Sequence, residues 1–161
     1  MRRTVCFLAI LTLLSLTLQA APKGWITWSD AKVGITMNVP SGFPFSFKDH
    51  GRGWGYFSGR KDSLRIYAIA KLKSELSLSE IQRDVEVIAR YPARAWKEIS
   101  NDKGKAKGGW KWWKAYKAQS KVSVSLAVVG VGKGGSYAAG LTTDMEDYKK
   151  NKAAYDTWLT S

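Results

Sequence analysis

Apolar and polar residues alternate along several short stretches of the chain, a pattern that predicts β-strands. The runs are Trp25–Ser29, Lys32–Val39, Trp54–Ser58, Leu64–Leu72, Trp110–Gln119, Val122–Val131 and Ser136–Thr143. The last three follow one another at hairpin spacing and predict a three-stranded meander. Pro40, Gly42 and Pro44 interrupt the pattern, residues 101–109 predict a loop, and residues 93–99 fit neither a helix nor a strand clearly.

Two further segments have helical periodicity and the residues that start helices. Ser77 and Glu80 form a predicted capping box, and apolar residues then recur on one face up to Pro92. Thr143 and Glu146 predict a second capping box, followed by an apolar stripe that ends at Leu159. Amphipathic helices need a sheet face to cover, so the order of elements predicts an α+β fold with an antiparallel sheet flanked by helices.

The N-terminus has the pattern of a secretory signal peptide. Arg2 and Arg3 precede a short apolar run, residues 5–18, and Ala20 or Ala21 is the last residue that cleavage would remove. A permanent membrane anchor is the alternative, although the run is short for one. We therefore expect a signal peptide at 1–21, a single α+β domain at 22–161, a secreted or periplasmic location, and no transmembrane segment after cleavage.

Cleavage would leave a cysteine-free and strongly basic domain. The only cysteine, Cys6, lies within the signal peptide. The formal net charge falls from +13 to +11, because two of the 26 Lys and Arg residues leave and all 13 Asp and Glu residues stay. Such a charge attracts anionic partners or serves only to keep the protein soluble.

Much of this charge lies beside tryptophans. Residues 104–117 contain five lysines and three tryptophans, and Lys103–Thr143 contains eight lysines and no acidic residue. Strand alternation predicts Trp110 and Trp112 on one face and Lys111, Trp113 and Lys117 on the other. The segment is either a core strand whose lysines reach solvent or a cationic aromatic surface.

Two other stretches carry a family resemblance. "GITMNVPSGFPF" at residues 34–45 and "GGSYAAGLTTDMEDYKKNKAAYDTWLTS" at residues 134–161 resemble an early strand with its turn, and a terminal strand with its helix, of PsbP-like proteins. This group includes the extrinsic photosystem subunit, bacterial DcrB-type envelope proteins and a Ran-binding nuclear import factor. The resemblance implies an α/β/α sandwich and an accessory or binding role rather than catalysis. Metal sites of some relatives are not carried over, because no matching histidine–carboxylate motif is present.

The residues themselves offer little chemistry for catalysis or cofactor binding. His50 is the only histidine, and we interpret it as a loop residue, although Asp30 or Asp49 could in principle complete a Ser-His-Asp site. Zinc ligands are nearly absent, and most acidic residues fit helix starts or polar helix faces. Gly130–Gly135 matches G-x-G-x-x-G, but a predicted strand follows it instead of a helix, so we interpret it as a hairpin connection. We expect no enzyme activity, cofactor or metal.

These observations lead to two function hypotheses. The first is an exported, non-enzymatic accessory protein that engages another protein of the cell envelope. The second is a polyanion- or glycan-binding module that uses the Lys/Trp-rich segment 103–121, with Lys111, Trp113, Lys114 and Lys117 as ligand-binding residues. An anionic envelope polymer is a more natural ligand than nucleic acid, which an exported protein rarely meets.

Overall fold

The computed structural model describes residues 21–104 and 109–159. The strands are β1 (Trp25–Asp30), β2 (Ile35–Pro40), β3 (Phe45–Gly51), β4 (Trp54–Lys61), β5 (Leu64–Leu72), β6 (Trp96–Asn101), β7 (Trp110–Gln119), β8 (Ser123–Gly132) and β9 (Gly135–Asp144). The helices are α1 (Leu78–Ala89), α2 (Met145–Lys150) and α3 (Lys152–Trp158), and a 3₁₀ turn covers Ala93–Ala95. Nearly all of the predicted signal peptide, residues 1–20, lies outside the described residues.

Seven strands form one antiparallel sheet in the order β3-β4-β5-β9-β8-β7-β6. β8 and β9 lie at its centre because β9 pairs on one side with β5 and on the other with β8. β3 and β6 are the two edge strands. β1 and β2 form a separate antiparallel hairpin.

Helix α1 covers one face of the sheet, which we call the α1 face. Ile81 and Val85 of the helix pack on Ile69, Val129 and Val131 of the sheet. The helix begins as the sequence predicts: Ser77 Oγ accepts from Glu80 N, and Ser77 N donates to the Glu80 carboxylate at 2.8 Å. Both the start of α1 and its apolar stripe therefore lie where the sequence predicts them.

The β1–β2 hairpin and the two C-terminal helices share the opposite face, which we call the hairpin face. Val39 of β2 packs with Leu126 and Leu141 of the central strands, and Tyr155 and Trp158 complete this core. Trp158 Nε1 donates to the backbone oxygen of Asn38 at 2.9 Å, which links α3 to the hairpin. Helices therefore lie on both faces, but the molecule is richer in sheet than a helix-flanked sandwich because the hairpin covers much of the second face.

Several predicted elements need correction. β3 and β6 were not predicted, and His50 falls within β3 instead of a loop. The meander has four strands, because β6 precedes the three that hairpin spacing indicates. The Gly130–Gly135 prediction is confirmed, since Gly132 and Gly135 pair across the β8–β9 turn.

The start of the last helix is also shifted by one residue. Its N-cap is Asp144, whose side chain accepts from Asp147 N at 2.7 Å, so the predicted box of Thr143 and Glu146 is wrong. Thr143 still belongs to β9, where it pairs with Val124, and its hydroxyl bonds to the Asp147 carboxylate at 2.6 Å. The helix is interrupted at Asn151, which separates α2 from α3.

Candidate functional site

A groove lined by lysines lies on the hairpin face, between edge strand β6 and helix α2. Its volume is about 850 Å³. We call it the lysine groove, and its lining residues are Ala95, Lys97, Ile99, Lys117, Gln119, Ser120, Lys121, Met145 and Lys149.

Three different elements and one turn bring the four lysines together. Lys97 of β6 pairs in register with Lys117 of β7, so two cations lie directly opposite each other across the strands. Lys121 lies in the turn between β7 and β8, and Lys149 lies on α2. Like charges directly opposite in a sheet are destabilising, so this arrangement does not arise from sheet stability.

Lys117 is fixed in place by a neutral partner. Its Nζ donates to the Tyr148 hydroxyl at 3.1 Å and lies 4.5 Å from the centroid of the Tyr148 ring. Tyr148 is buried and stacks on Tyr155 with centroids 6.0 Å apart. The phenol and its ring orient the ammonium without cancelling its charge.

The charge of the groove is not neutralised by nearby carboxylates. Within residues 21–104 and 109–159, no Asp or Glu oxygen lies within 4.0 Å of the Nζ atoms of Lys97, Lys117, Lys121 or Lys149. Lys111, Lys114 and Lys152, by contrast, each form a salt bridge. The lysine groove therefore concentrates positive potential that an anionic partner would neutralise.

Apolar side chains lie among these lysines. Ile99 is 48% exposed, and Ala95 and Met145 are half-buried beside it. Ile99 lies where the β6–β7 register shifts, between Glu98 and Ser100. A bulge and a lysine on an edge strand hinder pairing with another strand, so the groove offers side chains and not an open backbone edge.

The four residues predicted from the sequence as a binding site do not form one surface. Trp112 packs against the α1-face core, so Lys114, two residues along, lies on the α1 face. There Lys114 Nζ donates to Glu98 at 2.7 Å. That hydrogen bond raises the pKa of Lys114 and lowers the pKa of Glu98.

Two of the other three residues lie on the hairpin face. Trp113 is half-buried there, opposite Gly130, and Lys117 lies in the lysine groove. Lys111 occupies a shift in register between Trp110 and Trp112 and forms an ion pair with Glu75. Their role as a ligand site stays a prediction.

The same register shift corrects the predicted faces of the tryptophans. Trp112 packs on the α1 face. Trp110 lies on the hairpin face, where its ring meets Tyr137 edge-on with centroids 6.0 Å apart. Strict alternation would place Trp110 and Trp112 on the same face of the sheet. The extra residue in the bulge between them places them on opposite faces.

Sequence reasoning missed Lys97 and Lys149, and it included Lys121 only as the last residue of the segment 103–121. Lys97 lies in the segment that fitted neither helix nor strand, and Lys149 is more than fifty residues further along the chain. Lys97 could have been found through its pairing with Lys117, which requires β6 to be recognised as a strand.

No three His, Cys, Asp or Glu side chains of the described residues cluster closely enough to hold a metal ion. In the same part of the chain, no helix is long and apolar enough to cross a membrane.

Comparisons with known proteins identify the fold. No protein-family model and no curated protein matches this sequence. The solution structure of cyanobacterial PsbP (CyanoP) from Synechocystis sp. PCC 6803 is similar, with a TM-score of 0.56 and 14% sequence identity. The match covers 89% of this chain and 94% of that chain. The chain therefore has a PsbP-like fold, as the resemblance implies, and at this identity the likeness concerns the fold alone.

Proposed function

We propose that this chain is an exported, non-enzymatic accessory protein of the cell envelope that binds an acidic segment of another protein in the lysine groove. The observation that carries the proposal is a set of four lysines gathered around exposed Ile99, none of which has a carboxylate partner among the described residues. The PsbP-like fold and the signal-like N-terminus support the accessory role and the export.

The apolar side chains favour a protein segment over a bare polymer. Ile99, Ala95 and Met145 gain free energy only if a partner covers them with apolar groups. A segment that combines Asp or Glu with apolar residues would neutralise the lysines and cover Ile99 together. A sulfated or phosphorylated polymer would satisfy only the charges.

The alternative is a polyanion- or glycan-binding module that uses the segment 103–121. Lys117 belongs to both sites. Lys111 and Lys114 would have to leave Glu75 and Glu98 to bind a polymer, although exposed ion pairs of this kind are weak. Trp113, half-exposed on the same face as Lys117, is the observation that favours this alternative.

The proposal is tested by measuring how a labelled peptide of Glu and Leu residues binds to the protein without residues 1–21. Replacing Lys97, Lys121 and Lys149 together by Gln should weaken binding about tenfold or more, because three charges that face the ligand are lost. Lys117 is kept, since its contacts with Tyr148 are part of the packing.

A matched variant controls for net charge. Lys23, Lys48 and Lys61 are exposed and do not line the groove, so their replacement by Gln should change the affinity about twofold at most. Equal weakening by both triple variants would contradict a site in the groove. Heparin binding that is lost on replacing Lys111 and Lys114, but kept in the groove variant, would favour the alternative instead.

A further inference from the structure

A second concave site lies on the hairpin face at the other end of β7, separate from the lysine groove. It is a cleft of about 670 Å³, enclosed by the turn between β1 and β2, the end of β5, the start of β7 and the β8–β9 turn. We call it the Trp110 cleft. Its volume is within the range of small-molecule sites.

The floor of the Trp110 cleft is an uncovered part of the central sheet. Val128 and Ala139 pair in register on β8 and β9 and are only half-buried. Leu126 and Leu141, the next pair on this face, are completely buried under the hairpin and the C-terminal helices. Apolar surface in the middle of a sheet is normally covered, so the floor suits an apolar group of a ligand.

Aromatic rings form one wall of the cleft. Trp110 meets Tyr137 edge-on, and the ring of Trp110 rests on Gly130, where an added Cβ would lie only 2.8 Å from ring atoms. The absence of a side chain at Gly130 therefore lets the Trp110 ring approach the sheet closely.

The rim of the cleft is basic. Lys32, Lys73 and Lys133 line it, and none of its lining residues is acidic. No Asp or Glu oxygen of the described residues lies within 4.0 Å of their Nζ atoms. The rim thus complements a negative charge.

A hydroxyl lies between two of these lysine-bearing turns. The Tyr137 hydroxyl oxygen is 3.6 Å from the ideal Cβ position of Gly34 and 2.3 Å from that of Gly134. Gly34 follows the Lys32 turn and Gly134 follows Lys133. Among the described residues this hydroxyl has no hydrogen-bond partner, so it is available as a donor, and burial raises the pKa of Tyr137. Tyr137 and the two lysines mark one end of the cleft as polar and the floor as apolar.

We propose that the Trp110 cleft binds a small amphipathic anion, whose apolar chain lies on Val128 and Ala139 against Trp110 and whose carboxylate or phosphate lies between Lys32 and Lys133 near the Tyr137 hydroxyl. The shared chemistry is a single chain with one anionic head. The site is independent of the lysine groove and does not rest on the function proposed for it.

The test is calorimetric titration of the protein lacking residues 1–21 with decyl phosphate, decanoate, inorganic phosphate and decyl maltoside. Decyl phosphate or decanoate should bind at one site about tenfold or more tightly than inorganic phosphate or decyl maltoside, since only they satisfy both the floor and the rim. The tighter of the two identifies the head group. Absence of binding by both anions, or equally tight binding of decyl maltoside, would overturn the proposal.

Variants locate the binding. Replacing Lys32 and Lys133 together by Gln should weaken binding of the anion about tenfold. Ala139→Leu, tested as a separate variant, should also weaken binding, because the larger side chain fills the floor of the cleft. The lysine groove variant and a Lys48→Gln, Lys61→Gln double variant should bind as the unmodified protein does. If the Ala139→Leu protein fails to fold, the surface lysine pair still decides the question, and unchanged binding by that pair would refute the site.

Discussion

Burial of the Tyr67 side chain costs free energy of folding, because it removes a hydroxyl from water. Its side chain is fully buried and lies over Gly140, where an added Cβ would be 2.2 Å from the ring. Its hydroxyl has no hydrogen-bond partner of normal geometry among the described residues. The nearby Ser125 hydroxyl donates to the Leu141 carbonyl oxygen. Burial raises the pKa of Tyr67 far above its ordinary range, and the Ser125 hydroxyl offsets only part of the rise.

We predict that Tyr67→Phe leaves the free energy of unfolding within about 0.5 kcal/mol or raises it, because the lost hydroxyl is buried without a partner. Tyr91→Phe is the matched comparison. Tyr91 donates to the Ser123 carbonyl at 2.8 Å, and its loss should cost about 1 kcal/mol. Urea unfolding measures both free energies, and an equal loss in the two variants would show that the Tyr67 hydroxyl is hydrogen-bonded in the folded protein.

Individual residues also show how far sequence reasoning reaches. Ser77 and Glu80 are predictable because a capping box is local and depends on four consecutive positions. The face of Trp110 is not predictable, because it depends on a bulge that appears only when β7 pairs with β8. Thr143 could be mistaken for a cap because strand pairing with Val124 outweighs its local preference.

At the scale of elements, one carboxylate joins the two C-terminal helices. Asp147 of α2 accepts from the Thr143 hydroxyl, from Asn151 Nδ2 at 2.8 Å, and from the hydroxyl of Tyr155 in α3. Burial by itself would raise the pKa of Asp147, but these three hydrogen bonds outweigh it and the pKa lies below its ordinary value.

We predict that Asp147→Asn lowers the free energy of unfolding by about 1 to 2 kcal/mol at pH 7, since hydrogen bonds to a charged group are lost. A lowered folded-state pKa gives stability that is present above the unfolded value and is lost as the pH falls through the folded value. The difference between the two proteins should therefore shrink below about pH 4.

Urea unfolding at pH 7 and pH 3 checks this expectation. Asp156→Asn is the control, because Asp156 forms an exposed pair with Lys152 and its loss should cost about 0.5 kcal/mol or less. A loss for Asp147→Asn that is the same at both pH values would show that the carboxylate charge is not what links the helices.

The strands that the sequence predicts are those with regular alternation, and the two that it misses are the sheet edges. β3 directly follows Pro44, which together with Gly42 favours a turn. β6 is mostly exposed and has a bulge at Ile99. In β3 only Phe45 and in β6 only Trp96 packs against the core among the described side chains, so neither strand shows a run of alternating buried positions. The lysine groove lies beside such an edge, so its residues could not be gathered from the sequence.

At the scale of the whole molecule, the export of the chain is open to a direct test. We predict that the chain, expressed in a bacterium, is recovered outside the cytoplasm with Ala20 or Ala21 as the last residue removed, because the N-terminus has the pattern of a signal peptide. Mass spectrometry of the purified protein determines the new N-terminus. Recovery of the uncleaved chain in the membrane fraction would support the anchor instead.

The charge of the whole molecule also needs to be separated from the charge of the site. All 26 Lys and Arg residues attract anions at long range, whereas the lysine groove brings four lysines together around an exposed apolar residue. Long-range attraction falls steeply with salt, because charges on the surface are screened. Contacts of Ile99 with a partner are apolar, so they should persist when salt is added.

The most direct measurement is therefore the change in backbone amide NMR shifts as the Glu and Leu peptide is added at physiological salt. We predict that the largest changes fall at residues 95–99, 117–121 and 145–149, which line the groove from three directions. Largest changes around the Trp110 cleft or α1, or small changes spread over every exposed lysine, would contradict a partner site in the lysine groove.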